Sequence, residues 1–179
     1  MTDTRIAVLV GSLRADSLNR KIAQALVAQA PEGVVLEIVE GLHEVPFYSE
    51  DLDTANAPAS AVALRERVSA ADAVLAVTPE YNGTMPAVLN NAIDWLSRPY
   101  GAGPIAGKPF GVIGATPTPY GGKWAHADAQ RSAGIAGAIV VETAVASQSA
   151  LEVDPVTDAE VLARFVEVVR ALATHQVAA

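Results

Sequence analysis

Short apolar runs alternate with helical patterns along the whole sequence. Residues 73–77 and 110–114 are apolar at every position, which is typical of central strands in a parallel sheet. Residues 6–10 and 137–141 predict two further strands, and the apolar–polar alternation of residues 34–39 suits an edge strand. A parallel sheet of five strands is therefore expected.

Five helical patterns lie between these runs and after the last one. Four of them cover residues 18–30, 58–71, 86–98 and 124–136. The fifth predicts a final helix that opens with a capping box at residues 157–160. The final helix carries one apolar stripe, made of Val161, Leu162, Phe165, Val168, Val169 and Leu172. Strands that alternate with helices predict an α/β fold, a doubly wound parallel sheet with helices on both faces. The length fits a single domain over residues 1–179.

Composition narrows the classes of function. The net charge of −8 disfavours nucleic-acid binding, which needs a basic face. The absence of cysteine excludes disulfides, catalytic thiolates and iron–sulfur ligation, and the spacing of the three histidines predicts no metal site. No apolar run approaches the roughly 20 residues that span a bilayer, and the first residues lack the pattern of a signal peptide. We therefore expect a cytoplasmic protein with no membrane partner.

Polar loops follow three of the predicted strands. Ser12, Thr78 with Pro79, and Ala115 with Thr116 lie where those strands end. Ligands of doubly wound sheets bind beyond the carboxyl ends of the strands. The three loops are therefore expected to converge on one crevice.

The first of these loops suits a phosphate group. Its candidate residues are Ser12, Arg14, Ser17, Leu18 and Asn19. The serine and asparagine side chains can donate hydrogen bonds to phosphate oxygens, and the arginine supplies positive charge. They precede or begin a helix, whose first N–H groups are unpaired and favour an anion. The alternative is that Asp16 or Ser17 only caps the helix and that Arg14 is a solvated charge.

The second loop, Thr-Pro-Glu-Tyr-Asn-Gly at residues 78–83, suits a flat polar heterocycle. The backbone N–H groups of residues 80–83 can point at the edge of a pyrimidinedione. Tyr81 offers an aromatic face with a polar tip, and Asn82 tolerates a left-handed conformation. We interpret Glu80 as a solvated charge rather than a general base, so no catalytic side chain is predicted. The alternative is that this segment is an ordinary turn.

The third loop and the helix before it supply weaker indications. Thr116 or Thr118 can donate a hydrogen bond to a ring or a sugar chain. In the helix over residues 86–98, Asp94 and Arg98 have the spacing of an ion pair. Trp95 lies off the centre of that helix's apolar stripe, so it is either at the edge of the core or part of a subunit contact.

A ligand with a phosphate at one end and a flat heterocycle at the other would use these loops together. Flavin mononucleotide (FMN) is the simplest such ligand. The motifs Gly-Ser-Leu-Arg-x-x-Ser-x-Asn at residues 11–19, Pro-Glu-Tyr-Asn at residues 79–82 and Asn-Ala-Ile-Asp-Trp-Leu-Ser at residues 91–97 resemble those of the NAD(P)H-dependent FMN reductases. This flavodoxin-like family includes quinone, azo-dye and chromate reductases.

The resemblance implies a role for each loop. It places the FMN phosphate on the first loop, the isoalloxazine ring on the second, and Thr116 near the ring. The full set of expected cofactor-binding residues is Ser12, Arg14, Ser17, Leu18, Asn19, Pro79, Glu80, Tyr81, Asn82 and Thr116. The resemblance also implies a homodimer, or a tetramer, in which the helix after the second loop completes the partner's site.

The function expected from this resemblance is that of an oxidoreductase working in two half-reactions. Hydride would pass from NADPH or NADH to flavin N5, and a flavin, quinone, azo compound or similar small oxidant would then take the place of the nicotinamide. Two other functions stay open, a flavodoxin-type electron carrier and a nucleotide-binding regulator without turnover. Arg14 in the first loop, and acidic residues spread along the chain, favour the enzyme.

Overall fold

A computed structural model describes residues 3–175 of the chain. Its sheet has five parallel strands in the order β2-β1-β3-β4-β5. They are β1 (Thr4–Val10), β2 (Val34–Ile38), β3 (Ala73–Val77), β4 (Pro109–Thr116) and β5 (Ile139–Ser149). Each of the predicted strands is present, and the predicted edge strand β2 lies at one edge of the sheet. The doubly wound α/β fold is thereby confirmed.

Helices cover both faces of the sheet. They are α1 (Leu18–Ala28), α2 (Ala59–Ser69), α3 (Ala87–Leu96), α4 (Lys123–Ile135) and α5 (Ala159–Thr174), with a short 3-10 helix at Leu42–Glu44. One apolar layer packs α1 and α5 on the sheet, and the other packs α2, α3 and α4 on the opposite face. Within residues 3–175, no helix is both long and apolar enough to cross a membrane.

Two of the boundaries that differ from those predicted have a structural explanation. β5 was expected to end at residue 141 but continues to Ser149, past a register irregularity opposite Phe110 and Val112. This irregularity breaks the alternation that marks a strand in the sequence. The cap of α5 is Asp158, whose Oδ1 accepts a hydrogen bond from the Val161 N–H at 2.9 Å, one residue later than the expected capping box. The predicted apolar stripe of α5 is buried.

Trp95 is a core residue. Its side chain is fully buried, its Nε1 donates to the Pro46 carbonyl at 2.8 Å, and its ring packs edge-on against Tyr48 at 5.1 Å. The subunit-contact alternative is therefore wrong. The expected ion pair between Asp94 and Arg98 is absent from the described ion pairs, since the Arg98 guanidinium lies over the Tyr48 ring at 5.5 Å.

Residues 45–53, which follow β2 and the short 3-10 helix, are hydrogen-bonded to α2 and α3. Asn91 accepts a hydrogen bond from the Tyr48 N–H at 2.8 Å and donates to the Pro46 carbonyl at 3.0 Å. Arg65 holds Asp53 with two hydrogen bonds of 2.7 and 2.8 Å, which lower the pKa of that carboxyl group. Side-chain hydrogen bonds therefore connect this segment to both α2 and α3.

Candidate functional site

Three loops meet at the carboxyl ends of β1, β3 and β4. We call residues 11–17 loop 1, residues 78–86 loop 2 and residues 117–122 loop 3. The Gly11 N–H donates to the Val77 carbonyl at 2.9 Å, and a Cβ at Gly11 would lie 2.3 Å from Thr78 Oγ1. Loops 1 and 2 therefore approach each other as closely as glycine permits.

Loop 1 presents several hydrogen-bond donors at the start of α1. Ser17 is the N-cap, and its Oγ accepts from the Arg20 N–H at 3.2 Å, which leaves the hydroxyl hydrogen free to donate. Within residues 3–175, the N–H groups of Leu18 and Asn19 and the hydroxyl of Ser12 have no hydrogen-bond partner. Ser12 is only 8% exposed. Ser17 is thus a helix cap, as the alternative interpretation held, and its hydroxyl can also serve a ligand.

The Arg14 guanidinium of loop 1 is available to bind an anion. Arg14 is exposed and forms no ion pair with a carboxylate among the described residues. The neighbouring Asp16 pairs instead with Lys21, whose hydrogen bond and positive charge lower the pKa of the Asp16 carboxyl. A dianion at the start of α1 would meet a free guanidinium and a helix without acidic residues in its first turn.

The Asn19 side chain joins α1 to the end of β4. It is buried, its Nδ2 donates to the Ala115 carbonyl at 2.9 Å, and its Oδ1 accepts from the Ala115 N–H at 2.9 Å. One of its two amide hydrogens remains for a ligand. Its principal partner is therefore the protein backbone, and its contact with a phosphate stays a prediction.

Loop 2 forms a tight hairpin. The backbone groups of Tyr81 and Thr84 exchange two hydrogen bonds of 3.0 and 3.1 Å. The two residues between them, Asn82 and Gly83, have φ values of 54° and 74°, as in a type I′ turn. The expected left-handed conformation of Asn82 is confirmed. The Tyr81 N–H is used inside the hairpin, so it cannot point at a ligand as predicted.

Glu80 fastens loop 2 to α4. Its Oε2 accepts hydrogen bonds from the N–H groups of Trp124 and Ala125, both at 3.0 Å, while Gly122 at the N-cap supplies no side-chain bond. The expectation of a solvated charge was wrong, because this carboxylate caps a helix 44 residues further along the chain. A second link between the same elements joins the Thr84 hydroxyl to the Asp128 carboxylate, and this bond lowers the pKa of Asp128.

Loop 3 leads from the buried end of β4 to α4. The hydroxyls of Thr116 and Thr118, expected as alternative donors, lie 2.8 Å apart and bond to each other. One hydroxyl hydrogen of this pair remains free to donate. Beyond them, the exposed rings of Tyr120 and Trp124 pack with centroids 4.6 Å apart.

His126 was not predicted to belong to the site. Only 1% of it is exposed, and its Nδ1 lies 2.7 Å from Ser147 Oγ and its Nε2 3.3 Å from the Thr78 carbonyl. Burial lowers its pKa, against the opposing effects of the Thr78 carbonyl and the Glu80 carboxylate. Its position three residues before Ala129, on a stripe of buried alanines in α4, was the available signal for its burial.

The sequence is similar to a known protein family and to known reductases. The sequence model of a family described as NADPH-dependent FMN reductase matches residues 4–152. A quinone reductase from Pseudomonas putida is 46% identical over 117 residues, which are 65% of this chain and 62% of that protein. The match therefore spans less than two thirds of that relative's length.

Solved structures agree in fold. FerB, described as a flavoenzyme NAD(P)H:(acceptor) oxidoreductase from Paracoccus denitrificans, superposes with a TM-score of 0.74 at 32% identity, covering 94% of this chain and 98% of that one. A mutant flavodoxin from Pseudomonas aeruginosa superposes with a TM-score of 0.59 at 25% identity, covering 93% and 99% of the two chains.

Proposed function

The chain belongs to the NADPH-dependent FMN reductase family, and on that premise we propose that it is an FMN-containing oxidoreductase that carries electrons from NADPH or NADH to quinones or similar small oxidants. One observation carries the proposal. Loop 1 and the start of α1 offer Ser12, Ser17, the N–H groups of Leu18 and Asn19, and an unpaired Arg14 as donors to a single anion. This donor set fits the phosphate dianion of FMN.

The chain's own residues would bind and orient the reactants. Bound FMN would supply the hydride-transfer chemistry between nicotinamide and oxidant. Pro79, Glu80, Tyr81 and Asn82 would line the ring, with Glu80 contributing backbone because its carboxylate already caps α4. Thr116 would lie near the ring, and because its hydroxyl pairs with that of Thr118, one hydroxyl hydrogen of the two is left to donate to a ligand.

The phosphate assignment is tested by Arg14→Ala. We expect FMN binding to weaken by about 1.5–3 kcal/mol, the range for a hydrogen bond to a charged group, with riboflavin binding unchanged. Isothermal titration of the apoprotein with both flavins measures this. Arg20→Ala is the matched control, because that cation already pairs with Glu40. Equal affinities of the unmodified protein for FMN and riboflavin would mean that loop 1 is only a helix cap.

The enzyme class is tested by steady-state kinetics with NADPH or NADH and a quinone. Alternating reactants at one exposed ring face should give parallel double-reciprocal lines. Tyr81, 46% exposed at the hairpin, should affect turnover more than cofactor retention, so Tyr81→Ala should lower kcat while Tyr81→Phe should not. A protein that takes electrons from a reductase partner but never directly from NADPH or NADH would be a flavodoxin-type carrier.

We propose a homodimer as the state of assembly. The support is a pair of exposed aromatic residues beside the C-terminal end of α3, Phe47 at 77% and Tyr100 at 84% exposure. Phe47 follows Pro46, whose carbonyl accepts hydrogen bonds from Asn91 and Trp95 of α3, and Tyr100 follows the end of α3 in the chain. Light scattering should report a dimer for the unmodified protein and a monomer for Phe47→Asp. A tetramer would extend the proposal, and a fully active monomer with FMN bound would refute it.

We also propose a single domain and a cytoplasmic location, both predicted from the sequence. Residues 1–179 would form one flavodoxin-like FMN-binding domain, which limited proteolysis of the holoprotein would test by yielding no stable smaller fragment. A cytoplasmic location would be tested by cell fractionation.

A further inference from the structure

The hydrogen-bond ladder between β3 and β4 stops one bond short at the site. Its last backbone bond runs from the Thr78 N–H to the Ile113 carbonyl at 2.9 Å. In a parallel pair the next bond would run from the Ala115 N–H to the Thr78 carbonyl. The Ala115 N–H donates to Asn19 instead. The two strands therefore separate where loops 2 and 3 begin.

Two buried side chains take the place of the missing bond. Asn19 satisfies both backbone groups of Ala115, and His126 Nε2 is the hydrogen-bond partner of the Thr78 carbonyl within residues 3–175. The next residue is Pro79, which has no N–H, so this carbonyl is the hydrogen-bonding group of the Thr78–Pro79 peptide. The direction of the first peptide of loop 2 thus depends on His126.

The contacts of His126 also define its protonation. A nitrogen that bonds to a carbonyl must carry a hydrogen, so Nε2 is protonated. Nδ1 then accepts from the Ser147 hydroxyl, which lies 2.7 Å away and can donate. This neutral tautomer satisfies both ring nitrogens, and burial, which lowers the pKa of His126, favours the neutral ring.

We propose that His126, as the neutral Nε2–H tautomer, is a positioning residue for loop 2. It joins α4 and β5 to the end of β3, and so holds residues 79–82 at the place where a flat ring would bind. That a ring binds against residues 79–82 rests on the proposed function. The tautomer of His126 and its anchoring of the Thr78 carbonyl do not.

The tautomer is tested on the protein without added cofactor. Nitrogen-15 NMR of the imidazole at pH 7 should report a protonated Nε2 and a bare Nδ1 for His126. Ser147→Ala should shift the Nδ1 signal, because its hydrogen-bond donor is lost. A protonated Nδ1, or a doubly protonated ring at pH 7, would overturn the proposal whether or not the protein binds a flavin.

The positioning role is tested by two substitutions of different chemistry. Glutamine can donate to Thr78 and accept from Ser147, whereas leucine can do neither. We expect His126→Gln to keep FMN affinity within about threefold and His126→Leu to lose about tenfold or more, since a buried carbonyl is left unpaired. The induced circular dichroism of bound FMN should stay close to that of the unmodified protein in His126→Gln and should change more in His126→Leu.

A fragment separates positioning of the ring from general damage. Ribose 5-phosphate carries a phosphate but no isoalloxazine ring, so its affinity should be unchanged in both variants. Equal losses of affinity for the fragment and for FMN, or equal behaviour of the glutamine and leucine variants, would overturn the proposal. If the leucine variant does not fold, His126→Asn replaces it, because its shorter amide cannot reach both partners. An unmodified protein that binds no FMN would refute the proposed function, and the NMR result would still decide the anchoring.

Discussion

Gly114→Ala is expected to destabilise the fold by about 3 kcal/mol or more, because the added methyl group has no space. A Cβ at this position would lie 2.0 Å from the Thr78 carbonyl oxygen and 2.9 Å from both Asn19 Oδ1 and His126 Nε2. The first of these atoms is backbone directly after β3, in a residue whose N–H is bonded to Ile113 of β4, and it cannot move without disturbing that bond. The measurement is equilibrium unfolding of the apoprotein in urea.

Gly134→Ala is the matched control for this substitution. It lies inside α4, where a Cβ would meet only the Val140 Cγ2 methyl at 3.3 Å. Alanine is favoured over glycine inside a helix by about 0.8–1 kcal/mol, so this variant should be as stable as the unmodified protein or more stable. Similar losses in both variants would show that the crowding at Gly114 is not the cause.

Asn19→Ala should cost about 2–4 kcal/mol of unfolding free energy in the absence of FMN, because it leaves the buried N–H and carbonyl of Ala115 without partners. Ser17→Ala, which removes only the cap of the same helix, should cost about 1 kcal/mol. Urea unfolding of the apoprotein measures both.

Asn19→Asp separates the two functions of this side chain. The aspartate can still accept from the Ala115 N–H but cannot donate to its carbonyl, so part of the stability should return. Its negative charge beside loop 1 should nevertheless weaken FMN binding. If Asn19→Ala lowered FMN affinity without lowering apoprotein stability, Asn19 would be mainly a phosphate ligand and our assignment would be wrong.

Patterns within single segments were sufficient to predict most of the fold. The all-apolar run of β3 was predicted with its observed bounds, because a strand covered on both faces has no polar positions. The convergence of three loops also followed, since parallel strands end at one edge of the sheet. Such features depend on local composition and on chain direction.

The links between loops could not be predicted in the same way. Asn19 bonds to a residue 96 positions away, and Glu80 to residues 44 and 45 positions away. Neither pair has a local signature, because each side chain suits either solvent or a distant backbone group. His126 shows the same limit, since an isolated histidine in a helix does not reveal which carbonyl faces it.

The bond from Glu80 to α4 has a consequence for protein engineering. Transplanting the second loop of a relative would change the loop and also remove the cap of a helix at another corner of the crevice, unless the donor carries an acid at the same position. Asn82 and Gly83 at the tip of the hairpin can be varied within the limits of the turn. Glu80 bonds to backbone N–H groups, so an acid at position 80 is enough there, whereas Thr84 pairs with the Asp128 side chain and has to be exchanged together with it. The smallest transplantable unit is therefore a pair of segments that are distant in the gene.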